Sequence, residues 1–359
     1  MTRREMFMAA GSAAVLSPLV ARAAAEAVPN PFGRKGMGGA PTSFIAHNGG
    51  GLGTARGTTS GPAKPPDEFI DYCHSLGLGG AEVGAPPTEP GAISKLRDKL
   101  QTYDMHVIFN IRLPQSESDV DKFDASVKAA REVGAFGLHA ALTGRRYEDF
   151  KSLEAYQKSF ELNQKMVALA EPVLRKNKVR LSIENHKGWR AVEQAAWMKR
   201  LSSEYVGVHF DFGNNVSFCE EPMFTLETLK PWIFSGHIKD MGVAPYEDGF
   251  LLSEVPFGEG FIDLKKMVDT LRQKDPDMPL DLEMISRDPL KVPIYTSQYW
   301  VTFEEVPGHQ VAKMMETIQK NPPKKRLPST TGLGPDERKK YEEDNNVACI
   351  KYARQNLGL

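Results

Sequence analysis

Three carboxylates and an imidazole, Glu184, Asp211, His237 and Glu283, stand at the ends of four short, largely apolar runs. In an extended strand successive side chains point to opposite faces. Leu181 and Ile183 therefore share one face of Leu181-Ser182-Ile183-Glu184-Asn185-His186, while Ser182, Glu184 and His186 share the other. The same alternation sets His209 and Asp211 opposite Val208, Phe210 and Phe212, and sets Asp281 and Glu283 opposite Leu280, Leu282 and Met284. Three carboxylates gathered in a low-dielectric site repel one another and take up protons unless a cation offsets their charge. One divalent metal ion answers that need, and oxygen donors with one imidazole suit Mn²⁺, Mg²⁺, Co²⁺ or Zn²⁺. The competing account is a network of ion pairs, with Lys239, Arg112 or Arg287 as the cations. His209 lies one residue pair deeper than Asp211 and is expected to orient a ligand without binding metal.

Such positions need a scaffold that brings separate strand ends together. From Pro41 to Arg287 short apolar runs alternate with amphipathic stretches, the pattern of repeated βα units around a parallel sheet. Strands are expected at 43–47, 80–84, 106–113, 137–142, 179–186, 206–213, 234–240 and 280–286. Helices are expected at 66–76, 93–103, 118–133, 147–174, 191–201 and 264–273. Eight units close into an α/β barrel, the (β/α)8 TIM barrel of about 250 residues, with its active site at the C-terminal ends of the strands. The expected catalytic domain is 41–288, and a doubly wound open sheet is the alternative. His47 to Pro66 reads as a long loop beside the site, and Gly49-Gly50-Gly51-Leu52-Gly53 within it reads as a loop without a phosphate-binding role, since no helix follows directly. Residues 289–359 form a C-terminal helical extension, with helices near 308–319 and 335–357, that caps the underside of the barrel or makes a contact between subunits of a homo-oligomer.

Composition narrows the function. The 359 residues are 41% hydrophobic and 25% charged, ample for one large core. Lys and Arg number 45 against 46 Asp and Glu, which supplies no basic excess for nucleic acid. Cys73, Cys219 and Cys349 lie far apart and read as buried apolar residues, not as a zinc cluster or disulfide framework. At the N-terminus, Thr2-Arg3-Arg4-Glu5-Met6-Phe7-Met8 precedes an apolar run, Ala9 to Val20, and the small residues Ala21-Arg22-Ala23-Ala24-Ala25. This resembles a twin-arginine signal peptide over residues 1–25, too short to serve as a membrane anchor. It implies passage through the twin-arginine export machinery and a periplasmic or otherwise exported location.

Five motifs in order carry a family likeness: Ile183-Glu184-Asn185-His186, Phe210-Asp211-Phe212-Gly213-Asn214, Gly236-His237-Ile238-Lys239-Asp240, Val255 to Asp263 and Leu282-Glu283. Together they resemble the xylose-isomerase-like superfamily, in its branch of sugar isomerases and ketose 3-epimerases. In that branch a Glu-Asp-His-Glu set holds Mn²⁺ or a similar ion and the two glutamates are the acid/base groups. The resemblance therefore implies Glu184, Asp211, His237 and Glu283 as metal ligands, Glu184 and Glu283 as acid and base, and a small carbohydrate as substrate. Proton abstraction beside a carbonyl held by the ion, through an enediolate, is the expected chemistry. Expected substrate contacts are His186, Asn214, Lys239, Glu82, His139 and Arg287, with His47, Trp189 and Trp232 as further candidates near the mouth. The family often carries Asp-x-x-His on the sixth strand, where this chain has Asn214, which cannot change charge near neutral pH. That departure leaves open another substrate or reaction. The alternatives are a lyase that follows the same proton abstraction on a keto-sugar by β-elimination, an apurinic-endonuclease-like enzyme, and a sugar-binding protein without catalysis.

Overall fold

The computed structural model describes residues 33–48 and 65–359. The expected export signal and the Gly49 to Gly53 run lie outside the described residues. Eight parallel strands close into a barrel: β1 (Gly38–Gly39), β2 (Gly80–Val83), β3 (His106–Asn110), β4 (Gly137–Ala140), β5 (Leu181–Glu184), β6 (Val206–Asp211), β7 (Ile233–Ile238) and β10 (Leu280–Leu282). Neighbours follow chain order around the ring, and β10 closes it against β1. Helices fill the connections, so the chain is a (β/α)8 TIM barrel with a C-terminal helix, and the open sheet is excluded.

The first strand is not the expected 43–47. Pro41–Phe44 is a turn of 3-10 helix, and the strand is Gly38–Gly39, just ahead of the span expected for the barrel. The reason lies in the floor of the barrel, where His106 and Asp281 meet through His106 Nε2 and Asp281 Oδ1 at 2.8 Å. A β-carbon on Gly80 would fall inside the His106 ring, and one on Gly38 would collide with the Asp281 carboxylate. Two glycines make room for this buried pair, and a strand of glycines has no apolar pattern to betray it.

Leu181, Ile183, Val208, Phe210, Leu280 and Leu282 are all fully buried against the surrounding helices, as period-two reading requires. The helix expected over 147–174 is two. A short turn, Arg146–Asp149, precedes a long helix, Leu153–Asn177, that starts where Ser152 Oγ accepts from the Ala155 N–H.

After β7 the chain departs from the βα repeat. β8 (Asp240–Tyr246) and β9 (Gly249–Val255) form an antiparallel hairpin, joined on its outer edge by β11 (Leu290–Val292). Its base is fixed by Asp240, whose carboxylate accepts from the backbone N–H groups of Met241, Gly258, Gly260 and Ile262.

In the C-terminal extension, helices Gly308–Lys320 and Pro335–Tyr352 match expectation. The second runs down the outside of the barrel. At its mouth end Glu342 accepts from the N–H groups of Ala46 and His47, Asn346 donates to Ser43 O, and Asn345 donates to Ser286 Oγ. Beyond its far end Arg354 donates to Leu76 O and Gly77 O, which lie just before β2.

Candidate metal centre

The C-terminal ends of β5, β6, β7 and β10 deliver Glu184, Asp211, His237 and Glu283 to one point. One ligand atom from each lies within 4.8 Å of all the others, and every residue is buried. What aims the imidazole is Glu82, at the end of β2. Its Oε2 accepts from His237 Nε2 at 2.9 Å, while its Oε1 accepts from Asn110 Nδ2 at 2.9 Å. His237 Nδ1 is thereby turned into the cluster, 4.0 Å from Asp211 Oδ2 and 3.7 Å from Glu283 Oε1, with no hydrogen-bond partner of its own. A carboxylate fixing one ring nitrogen so that the other faces a cation is the usual support of a metal-bound histidine.

Around this set the charges are arranged tightly. Lys239 Nζ lies 2.7 Å from Asp211 Oδ2 and contacts Glu283 Oε2, with Glu254 Oε1 at 3.8 Å. Burial pushes the Asp211 carboxyl up to about 6, with Glu283 and Glu184 adding to the rise and Lys239 opposing it. Burial also opposes ionisation of Glu184, but the histidines 186, 139 and 237 outweigh it and hold that carboxyl at about 2. Glu82 is held at about 2 in the same way, chiefly by His139 and His237 against the cost of burial. His237 is moved well above the ordinary imidazole range, because Glu283 and Glu82 outweigh its burial.

A divalent ion fits this donor set. Five buried carboxylates, Glu82, Glu184, Asp211, Glu254 and Glu283, face three cationic side chains, Lys187, Lys239 and Arg287. Two negative charges are left over when His237 is neutral, the amount such an ion balances. The same four side chains would hold it, with Nδ1 as the donor of His237.

The other expected site residues fall into three groups. Asn214 and His139 touch the set directly: Asn214 Nδ2 donates to Glu184 Oε1 at 2.8 Å, and His139 Nε2 lies 3.3 Å from Glu184 Oε2. Glu82 and Lys239 belong to the centre through His237, Asp211 and Glu283. Arg287 reaches it only through Glu254, to which it is paired at 2.6 Å, and His186 gives its Nδ1 to the Thr143 carbonyl at 2.5 Å. His47 faces the other way, stacked on Tyr72 at 3.6 Å between ring centres. Trp189 is fully buried and packs on Phe160 and Trp197, and Trp232 packs against the core, so neither offers a sugar platform. His209, on the inner face of β6, gives Nδ1 to Ser235 Oγ at 2.8 Å and packs its ring against His139 and His237. With Glu82 and His237 it forms a second, deeper group within ligand distance, but that group would need the ring nitrogen Glu82 already holds.

Three residues at the centre escape a reading by strand ends. Thr42 Oγ1 donates to Glu283 Oε1 at 3.0 Å, from the turn mistaken for a strand. Glu254, 1% exposed, arrives on the hairpin. Lys187, three residues past Glu184, donates to Asn214 Oδ1. The hairpin had a signal in Asp248-Gly249 between two runs of strand-forming residues. Lys187 had only its place in the loop after β5.

A closed parallel barrel with an acidic, histidine-bearing cluster in its C-terminal mouth carries that cluster on the face where (β/α)8 barrels place their sites. Residues 70–302 match the family described as xylose isomerase-like TIM barrel, and this chain belongs to that family. The Escherichia coli K12 protein named Uncharacterized protein YihM is 22% identical over 210 residues, which cover 57% of this chain and 62% of that protein, less than two thirds of its length. Among solved structures, the probable 3-DHS dehydratase AsbF of Bacillus anthracis has a TM-score of 0.52 at 13% identity, covering 75% of this chain and 100% of its own. A D-psicose 3-epimerase crystallised in the presence of D-fructose has a TM-score of 0.50 at 14% identity, covering 81% and 93%. At such identities these structures establish the shared fold.

Proposed function

We propose that this protein is a divalent-metal-dependent sugar isomerase or epimerase, with Glu184 and Glu283 as its acid and base. The observation that carries the reading is the convergence of Glu184, Asp211, His237 and Glu283 within 4.8 Å, with Glu82 turning the free nitrogen of His237 inward. The family likeness of the ordered motifs makes Mn²⁺ the leading ion, and Mg²⁺, Co²⁺ and Zn²⁺ share the required donor preference. When bound, the ion supplies Lewis acidity to a substrate carbonyl and the hydroxyl beside it, which eases loss of the proton on the carbon between them.

The side chains do the rest. Asn214 and His139 hold the two oxygens of Glu184 in place, so that the carboxylate keeps a fixed position from which to exchange a proton. Thr42 and Lys239 hold Glu283, which enters on β10 with β6 and β7 between it and β5. Two carboxylates on separate strands can take a proton from one side of a carbon and return one from another. Return to the same carbon is epimerisation, and return to its neighbour is isomerisation.

A second reading, elimination from a keto-glycoside after the same proton loss, is favoured by a cleft of about 660 Å³ beside His139. Asn110, Arg112 and Gln115 line it, and it leaves space for the departing group of a glycoside.

The test combines metal analysis with proton exchange. The purified protein should carry about one divalent ion per chain, largely lost in Glu184→Gln and in Asp211→Asn. It should also incorporate solvent deuterium next to the carbonyl of one sugar in a panel of ketoses, aldoses and keto-glycosides. Full occupancy in both variants would end the site assignment. Release of an aglycone would select the elimination reading.

A further inference from the structure

Lys187 is a buried ammonium without a carboxylate. The residue is 5% exposed, and among the described residues no Asp or Glu oxygen lies within 4.0 Å of its nitrogen. Its cationic neighbours differ. Lys239 has three carboxylates within that distance, and Arg287 has Glu254. The one hydrogen bond Lys187 donates goes to the neutral carbonyl oxygen of Asn214, whose amide group donates to Glu184.

The position is built, not accidental. The loop after β5 is tied on every side: Asn185 brackets the backbone of Asp211, the Lys187 carbonyl accepts from Arg146 N, Trp189 Nε1 donates to Glu184 O, and Arg190 pairs with Glu220. The backbone that carries Lys187 is therefore fixed, and its ammonium is held inside by the bond to Asn214. A buried cation with no carboxylate in contact is costly, and here burial, then Lys239 and Arg287, push its pKa down to about 8 against the more distant pull of Asp211 and Glu254. An incoming anion would remove that cost.

We infer that Lys187 receives an anionic group of the substrate, so that the sugar handled at this centre is an acidic derivative bearing a carboxylate or a phosphate ester. This rests on the metal-centre reading above and names its substrate class. Asn214 fits the role, since its amide accepts from Lys187 and donates to Glu184 and so fixes the spacing between anion and base. An acid at this position would have quenched the lysine.

The test uses the full-length protein loaded with Mn²⁺. Calorimetric titration compares D-gluconate and D-glucuronate with D-glucitol and D-glucose, and with D-glucose 6-phosphate, on the wild type, Lys187→Met and Lys187→Arg. The anions should bind the wild type at least about tenfold more tightly than the neutral partners. Lys187→Met should remove about ten- to a hundredfold of that preference, the loss expected of one charge-assisted hydrogen bond, and Lys187→Arg should keep part of it. Metal content, read on the same samples, should be equal in all three, because Lys187 touches none of the four ligands. Carboxylates ahead of the phosphate would make the group a carboxylate, and the reverse order a phosphate. Neutral sugars binding as tightly as the anions, or a preference that survives Lys187→Met, would overturn the inference and leave the metal centre standing. A wild type that takes up no divalent ion would overturn both.

Discussion

Among single residues, Glu82 makes the sharpest prediction, because its hydrogen bond to His237 orients one of the four converging side chains. Its carboxylate fixes the proton of the imidazole on Nε2 and leaves Nδ1 free to bind. In Glu82→Gln the replacement amide can present either end to the ring. When its NH₂ faces Nε2, the imidazole proton moves to Nδ1 and blocks the ligand position. Metal affinity, measured by competition with a chelator, should fall about 10- to 100-fold. Wild-type affinity in this variant would mean that His237 does not bind through Nδ1. The four converging side chains were readable from sequence because strand alternation marks a polar residue on an inward face. Lys187 and Glu254 were not, since a charged residue in a loop or on a hairpin looks the same whether it ends in solvent or in a buried site. Arg287 stands beside the cluster, but its pairing with Glu254 keeps it one residue removed from the four converging side chains.

At the level of elements, the hairpin β8–β9 and its base explain how the site acquires residues that no barrel strand carries. Asp240 follows Lys239 directly and binds four backbone N–H groups, holding the turn from Gly258 to Ile262. The hairpin rising from that turn sets Glu254 against Lys239 and Arg287. Asp240→Ala leaves four donors without their acceptor in a half-buried turn. The expected cost is about 3 kcal/mol or more, seen as a clear drop in the midpoint of thermal unfolding. Asp240→Asn keeps one acceptor oxygen and should fall between. An unchanged midpoint in the alanine variant would show that the turn is held by something other than this carboxylate. Strands β2 to β7 and β10 were legible because each carries apolar residues on its outward face. β1 was not, since it is two glycines without an apolar pattern, and Gly38 among them, like Gly80 on β2, makes room for His106 and Asp281, a constraint imposed from across the barrel. The hairpin was hidden for a related reason: the expectation of another βα unit absorbed its sequence.

For the molecule as a whole, the C-terminal helix couples the far end of the chain to the mouth of the barrel, and Glu342 is the contact that reports on it. It accepts from the N–H groups of Ala46 and His47, at the threshold of the loop after β1. Burial nevertheless pushes its carboxyl up to about 7, with Glu343 adding to the rise and the two backbone donors opposing it. In the unfolded chain a glutamate ionises near 4.3. Between about pH 4.5 and 7 the folded protein thus keeps a proton on Glu342 that the unfolded chain has released. Stability from this group is present in full below that window and declines as pH rises through it, by about 4 kcal/mol at most. Asp211, pushed up to about 6, changes charge over the same range, so the wild-type curve alone would not isolate it. The difference between wild type and Glu342→Gln would, since the other groups are common to both. Urea unfolding at several pH values from 4.5 to 7.5 should show the stability of the wild type falling relative to the variant as pH increases. A difference that stays constant across those values would mean Glu342 ionises in the folded protein as it does in the open chain, and that the helix end is more open to water than the packing of the mouth requires.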